Sequence, residues 1–232
     1  MSSSSALQYS NLETLNFTFT LTEDVSDFHV EDVTVSGGTL SSFQGSGDTY
    51  RATFTPIGDG LKSIVVEKGK ITDTAGNANF YPSETYEFMH DVTPPTISIT
   101  SSTTSATAEN ITLTFYASEV IQNFHQYDIS VIGGVLSEFS TVTDGRNYTA
   151  VLSPAAEYGE TITTNVFVAA SLFQDLAAND NVESETFEWT YVVFECGVVV
   201  FEHEVRDFNC FTFSCSNYHT QIEENITCIA HS

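Results

Sequence analysis

Basic residues are scarce in this sequence, which has six Lys and Arg against 31 Asp and Glu and a formal net charge of -25. A phosphate backbone or an anionic lipid surface would be repelled, because both kinds of partner are held mainly by basic side chains. The charge therefore predicts no nucleic-acid partner. Two interpretations of the acidic surface stay open: it attracts divalent cations, calcium above all, or it only keeps the protein in solution.

Long hydrophobic runs are also absent. The longest apolar stretches, residues 191–194 and 198–201, are separated by a segment that begins at Glu195. They fall far short of the roughly 18 residues that a membrane-spanning helix needs. Residues 1–7 carry neither the basic nor the apolar region of a secretory leader. We therefore expect no membrane insertion, and we expect the sequence to be a fragment of something longer.

Cysteine is absent from residues 1–195, and all four cysteines lie in the remaining segment: Cys196, Cys210, Cys215 and Cys228. An even number in one short segment predicts one or two disulfides, with three possible complete pairings. A zinc site is the alternative, because His203, His219 and His231 lie in the same segment. Only one Cys pair has a short spacing, however, which is weak support for zinc, so disulfides are favoured.

The sequence contains an internal repeat. At an offset of 96 residues, Leu15–Phe19 matches Ile111–Phe115, and after short insertions in the second copy Asp73–Asn79 matches Asp175–Asn181. So many matches in one order are not chance. A unit of about 100 residues is too long for a solenoid repeat and has the size of an independent domain.

Both copies have the pattern of β-strands. Residues 16–22 alternate apolar and polar side chains, which is the period of a half-buried strand, and Gly37-Gly38 ends a second strand. About seven such short strands in each copy are typical of an immunoglobulin-like sandwich. The predicted fold is all-β, with two tandem immunoglobulin-like β-sandwiches and a short Cys-containing C-terminal tail. The expected domains are residues 1–91 and 92–194, and the tail is 195–232.

The alternation also predicts the inward side chains. In the first copy they are Phe17, Phe19, Val33, Val35, Phe54, Ile64 and Val66. In the second copy they are Leu113, Phe115, Ile129, Val131, Val151, Val166, Val168 and Trp189.

The linker between the copies, residues 91–96, contains Pro94 and Pro95, which favour an extended and stiff chain. This linker, the strand at Phe115–Val120, the segment Asp128–Gly134 and the loops that start at Asp73 and Asp175 resemble the bacterial Ig-like repeats of large surface adhesins and biofilm proteins. The resemblance covers about residues 15–194. It implies an extracellular or cell-surface location and other Ig-like repeats of the same polypeptide as partners. The serine-rich start, Ala178 in place of the glycine seen at Gly76, and the cysteine tail depart from the pattern.

Acidic and amide side chains predict a calcium site, because two loops and the incoming linker of such a sandwich meet at one end. The expected ligands, at the inter-domain end, are Asp91, Glu119, Asp175, Asn179, Asp180 and Asn181. A second, weaker set in the first copy is Glu23, Asp73, Asn77 and Asn79. Calcium takes six to eight oxygen ligands, which these side chains would supply. The alternative is that Asp and Asn only form turns through bonds to their own backbone.

No catalytic motif is recognisable in the sequence. His29 and His125 occupy equivalent positions in the two copies, without a Ser or Cys nucleophile in a recognisable elbow. A residue repeated in this way is more often scaffold than active site, so we predict that the chain is not an enzyme.

Two functions remain. The expected one is an extracellular structural or adhesion module, a stiff spacer of a larger repetitive surface protein, rigidified by calcium at the inter-domain end. The alternative is a ligand- or glycan-binding module that uses the loops at one end of the sandwich. A binding site would require exposed aromatics in a loop of one copy only, and the copies differ mostly in length, which favours the spacer.

Overall fold

The computed structural model describes residues 7–106, 110–141, 144–155 and 161–192, together with the backbone of residues 200–201 and 204–205. Within these ranges the regular elements are β-strands and two short 3-10 helices, Val30–Asp32 and Gln126–Asp128. The described part of the chain contains no helix with the length and hydropathy of a membrane span. The predicted all-β fold is confirmed. The four cysteines, and with them the predicted disulfides, lie outside the described residues.

The chain divides into two compact units. Among the described residues, unit 1 comprises 7–96, 117–124 and 170–182, and unit 2 comprises the rest. Two segments of the second sequence repeat therefore belong to unit 1, because the units follow spatial proximity and not sequence similarity. The boundaries at residues 91 and 194 stay predictions.

The first repeat contributes six strands to unit 1. They are β1 (Gln8–Ser10), β2 (Leu15–Val25), β3 (Val33–Ser36), β4 (Gly38–Pro56), β5 (Gly60–Val66) and β6 (Tyr86–His90). One sheet has the order β1-β6-β5-β3, with β1 parallel to β6, and β2 pairs with β4 in a separate antiparallel sheet. β4 is the longest strand of the first repeat, with 19 residues. It continues through Gly45 and Gly47, whose positive φ angles of 153° and 67° bend the strand without ending it.

Aromatic side chains join the two sheets of the first repeat. Phe54 from β4 and Phe88 from β6 are fully buried, and their ring centroids lie 5.8 Å apart in an edge-to-face arrangement. Phe17 from β2 contacts both rings. The inward prediction is confirmed: of the predicted residues, Val33, Phe54, Ile64 and Val66 are buried, and Phe17, Phe19 and Val35 pack partly buried against them.

The double glycine between β3 and β4 is required by backbone angle and by packing. Gly37 has a φ of 75°, which an L side chain rarely adopts, and a Cβ on Gly38 would lie 2.3 Å from Cζ of Phe54. The second repeat has the same turn, with Gly133 at a φ of 80° and a Cβ on Gly134 placed 2.9 Å from the carbonyl oxygen of Ser153. The turn therefore fixes the entry to the strand that follows it in both repeats, β4 in the first and Gly134–Thr141 in the second.

The described residues of the second repeat contribute nine strands. They are β7 (Ile97–Ser101), β8 (Ile111–Ala117), β9 (Ile121–Gln122), β10 (Ile129–Ile132), β11 (Gly134–Thr141), β12 (Asn147–Pro154), β13 (Thr161–Val168), β14 (Gln174–Asp175) and β15 (Phe187–Val192). Unit 2 has sheets with the orders β10-β13-β15 and β11-β12-β8-β7. β9 and β14 pair with each other and lie in unit 1. Two further strands, β16 (Val200–Phe201) and β17 (Glu204–Val205), form a separate pair.

The core of the second repeat follows the prediction except on β12. Leu113, Phe115, Val166, Val168, Ile129 and Trp189 are buried, and Val131 is half-buried. The inward assignment of Val151 was wrong, because Ala150 and Leu152 occupy the buried face of β12 and leave Val151 half-buried on the other face. Both faces of β12 carry apolar residues, so the sequence pattern did not show which face is buried.

Truncation of the buried ring of Phe54 should test this core. Phe54→Ala should lower the free energy of unfolding by about 3–5 kcal/mol, because it leaves a cavity between the sheets. Phe80→Ala is the matched control, since the Phe80 side chain is 79% exposed and should change stability by no more than about 0.5 kcal/mol. Denaturant unfolding followed by circular dichroism measures both, and equal effects would contradict the assigned core.

Candidate metal centre

Asp175 organises the loop that follows β14. Its Oδ1 accepts hydrogen bonds from the backbone N–H groups of Ala177 at 2.8 Å and Asn179 at 2.9 Å. Its Oδ2 accepts a bond of 2.8 Å from the side-chain amide of Asn179. The residue is only 2% exposed, so its carboxylate receives its hydrogen bonds from the loop and not from water. Asp175 lies opposite Ile121 of β9. This pairing brings the loop to the chain segment that carries Glu119.

The first repeat closes its equivalent loop in the same way. Oδ1 of Asp73 accepts from the N–H groups of Ala75 at 2.9 Å and Asn77 at 2.7 Å, and Oδ2 accepts from the Asn77 amide at 2.9 Å. The bond from the Asn77 side chain is the largest cause that lowers the pKa of Asp73. Asp and Asn are thus turn formers at both positions, which was the alternative to a metal site. The two roles do not exclude each other, because a carboxylate has about four acceptor positions.

Three acidic side chains come together in the second repeat's loop region. One ligand oxygen each from Asp91, Glu119 and Asp175 lies within 4.8 Å of the others. Asp175 is buried, and Asp91 and Glu119 are half-buried. All three belong to unit 1, although they come from three separate segments of the chain. This acidic triad is the only group of three or more acidic, His or Cys ligands at metal-binding distance among the described residues.

Asn179 connects the triad to the linker and to the first repeat. Its side-chain amide donates to the backbone carbonyl of Asp91 at 2.8 Å as well as to Asp175. The side chain of Asn11 donates to Oδ1 of Asn179 and to the carbonyl of Ala178, both at 3.2 Å. Asn11 lies between β1 and β2 and has no counterpart in the sequence repeat, so nothing in the sequence indicated it.

The other predicted ligands lie elsewhere. Asp180 accepts a bond from the side chain of Gln174 at 2.8 Å. Oδ1 of Asn181 accepts from the backbone N–H groups of Leu172 and Phe173, and Oδ1 of Asn79 accepts likewise from Lys70 and Ile71. These two asparagines close their loops. Within the described part of the chain, Glu23 and Asp73 have no third acidic, His or Cys side chain that completes a group with them.

Asp59 fixes the linker that carries Asp91. Its carboxylate accepts bonds from the backbone N–H of Val92 at 3.0 Å and the hydroxyl of Thr93 at 2.6 Å. The buried Lys62 holds the same turn, since its ammonium donates to the carbonyls of Ile57 at 2.9 Å and Asp59 at 3.3 Å. This linker anchor was not predicted from the sequence, because Asp59 and its partners Val92 and Thr93 lie more than 30 residues apart along the chain.

His90 completes the linker anchor. It is 5% exposed, and its two ring nitrogens lie 3.1 Å and 3.2 Å from the carbonyl oxygens of Gly58 and Leu12. The next residue along the chain, Asp91, donates its own N–H to the carbonyl of Ser10 at 3.0 Å. The backbone is therefore tied down on both sides of the position from which Asp91 reaches the triad.

These features define a class: tandem immunoglobulin-like β-sandwiches joined by a proline-containing linker. The chain belongs to the bacterial Ig-like domain family, whose model matches residues 2–88 and again 91–191. No curated protein matches the sequence.

Solved structures that match the chain include two from Yersinia pseudotuberculosis. InvD is 17% identical with a TM-score of 0.39, over 80% of this chain and 54% of that one. The adhesin InvE is 14% identical with a TM-score of 0.29, over 80% of this chain and 56% of that one. A tandem pair of titin Ig domains is 8% identical with a TM-score of 0.27, over 82% of this chain and 92% of that one. The chain thus spans little more than half the length of the two Yersinia structures.

The linker anchor predicts a pH effect. The hydroxyl of Thr93, and after it the N–H of Val92, lower the pKa of Asp59 below its ordinary value of about 3.9. A lowered folded-state pKa stabilises the fold above the unfolded-state value, and this stabilisation is lost as the pH falls through the folded-state value. Thr93→Val should raise the pKa of Asp59 towards its ordinary value, as measured by carboxyl NMR titration.

The exposed Thr100 provides the control for this titration. Thr100→Val should leave the pKa of Asp59 unchanged, since Thr100 makes no bond to that carboxylate. Identical Asp59 titrations in wild type and Thr93→Val would show that the linker is not held by this bond.

Proposed function

We propose that this chain is an extracellular structural and adhesion module, a spacer within a larger surface protein that calcium makes rigid. Membership of the bacterial Ig-like domain family supports the module, since the family match extends over both repeats. The formal net charge of -25 supports a site that attracts cations and a surface that stays in solution. The neighbours along the polypeptide would be further Ig-like repeats.

The acidic triad is the observation that carries the calcium part of the proposal. Three carboxylates with oxygens within 4.8 Å of one another repel, and burial of Asp175 weakens the screening of that repulsion by water. Calcium would replace the repulsion by attraction and would use oxygen ligands of the kind it prefers. Asn179 and the linker anchor hold the segments of Asp91 and Asp175 in place before an ion arrives, and the pairing of β9 with β14 holds the segment of Glu119, which reduces the ordering cost of binding.

Rigidity would follow from the origin of the ligands. Asp91 belongs to the linker, Glu119 follows β8, and Asp175 ends β14. One ion bound by all three would cross-link these segments, so bending of the linker would require loss of a ligand. The stiff Pro94-Pro95 pair limits the same motion by covalent geometry.

A non-catalytic role is part of the proposal. The repeated histidines support it, because each lies at the same structural position: the backbone N–H groups of His29 and His125 donate to Asp32 at 2.9 Å and Asp128 at 2.8 Å. Both residues precede a 3-10 helix and belong to its capping arrangement. This structural role explains why a histidine occurs at the same position in both repeats.

Calcium should stabilise the wild-type protein against heat. An ion that binds only the folded form adds about 2.7 kcal/mol at a hundredfold excess over its dissociation constant. We expect millimolar calcium to raise the melting temperature by several degrees relative to chelator, and magnesium to do much less, because it demands a tighter octahedral site. Glu119→Gln should abolish the calcium response.

Asp73→Asn is the control variant. It removes one carboxylate charge, as Glu119→Gln does, and perturbs the first repeat's counterpart of the Asp175 turn, but it removes no triad carboxylate. It should lower the melting temperature in chelator and keep the full calcium response. A wild-type melt that calcium does not change, or an undiminished response in Glu119→Gln, would refute the metal site.

A further inference from the structure

The first repeat exposes two adjacent aromatic rings. The side chains of Phe80 and Tyr81 are 79% and 75% exposed, and their ring centroids lie 4.8 Å apart at an angle of 85° between the planes. Their ring faces therefore meet nearly at a right angle on the surface. Exposed apolar groups that are fixed side by side mark a binding surface more often than isolated ones do.

Asn79 holds this aromatic pair against a second loop that carries two lysines. The backbone N–H of Gly69 donates to the Asn79 carbonyl, and that of Lys70 to its Oδ1, both at 2.8 Å. The Asn79 side-chain amide donates to the carbonyls of Tyr81 at 2.9 Å and Glu67 at 3.0 Å. Lys68 and Lys70 are both exposed. We call the four side chains Lys68, Lys70, Phe80 and Tyr81 the Lys-aromatic patch.

The second repeat builds the same scaffold without the patch. Asn181 accepts from Ser171 and Leu172 as Asn79 does from Gly69 and Lys70, and the φ angles of Ser171 and Gly69 are both positive, at 61° and 73°. The positions of Lys68, Lys70, Phe80 and Tyr81 are occupied there by Ala170, Leu172, Val182 and Glu183. Loop closure therefore does not require the patch. The expectation that the copies differ mainly in length overlooked this difference in side chains.

The charge of the patch is unlike that of the rest of the chain. Lys68 and Lys70 are two of only six basic residues, and residues 67–81 are formally neutral because only Glu67 and Asp73 oppose them. The remainder carries the whole net charge of -25. At physiological salt, charges beyond about 8 Å are largely screened, so the acidic residues that lie far from the patch repel an anion there only weakly.

We propose that the Lys-aromatic patch binds a carboxylated sugar. The faces of the two rings carry negative charge density and attract the polarised C–H groups of a sugar ring, while a lysine ammonium binds the carboxylate. A small ligand fits better than a protein, since a stable protein interface buries about 800 Å² on each partner and four side chains cover far less. A second copy of this chain would also repel the first through its own charge. Sugar binding would be a second function, separate from the role as a calcium-stiffened module.

Calorimetric titration of the whole chain tests the proposal. The probes are a galacturonic acid hexamer and sialyllactose, which offer the same chemistry from two sources, and neutral maltohexaose as the comparison. All titrations contain chelator, so their outcome is independent of the calcium site. We expect at least one acidic probe to bind and the neutral one to bind more weakly by about tenfold or more.

Variants assign the binding to the patch. Phe80→Ala with Tyr81→Ala, and separately Lys68→Ser with Lys70→Ser, should each raise the dissociation constant by about tenfold or more while the melting temperature stays unchanged. Tyr127→Ala is the matched control, since Tyr127 is an equally exposed aromatic, at 80%, in the other repeat, and this variant should bind as the wild type does.

Several results would overturn the assignment. They are the absence of binding to both acidic probes, equal binding of maltohexaose, or an equal loss in Tyr127→Ala. Self-association in sedimentation that disappears in the double aromatic variant would also overturn it, because a second copy would then be the occupant.

Discussion

The aspartate-centred turn is the interaction on which both candidate functional surfaces depend. Asp73 and Asp175 each accept two backbone N–H groups and one side-chain amide from their own loop, and Asn79 and Asn181 then fix the loop to the chain segment just before it. The loop conformation is thereby set by these hydrogen bonds, which are exposed in the first repeat and buried or half-buried in the second, and not by the side chains that the loop displays. The same scaffold can present a carboxylate to the acidic triad in one repeat and an aromatic pair to solvent in the other.

The acidic triad lowers the stability of the fold, and neighbouring hydrogen-bond donors compensate for part of this. Like charges at such short range destabilise the compact state, and the nearest compensation comes from N–H donors of the turn and from the Asn179 amide. The linker anchor of Asp59, Lys62 and His90 keeps the backbone beside Asp91 from relaxing away. Neither group of bonds neutralises the charge, which is why a cation would change the stability of this region.

Sequence reasoning reached the repeat, the strands and most of the core, because period-two alternation and internal similarity are local signals. It failed at Val151, where apolar residues occupy both faces of the strand. It also placed Asp91, Glu119 and Asp175 in one set of six expected ligands, and oxygens of these three lie within 4.8 Å of one another, while calcium binding by the set stays a prediction. It missed Asn11 and His90, because their partners lie far away in the sequence and neither belongs to the repeated pattern.

A structure from crystals grown in millimolar calcium tests most directly whether the acidic triad binds this ion. We predict one ion bound by oxygens of Asp91, Glu119 and Asp175 at about 2.3–2.6 Å, identified by its anomalous signal. The equivalent loop of the first repeat, at Asp73, should hold none, because no third acidic ligand reaches it within the described residues. A triad that holds no cation at that calcium concentration, or ions bound equally at both loops, would contradict the account.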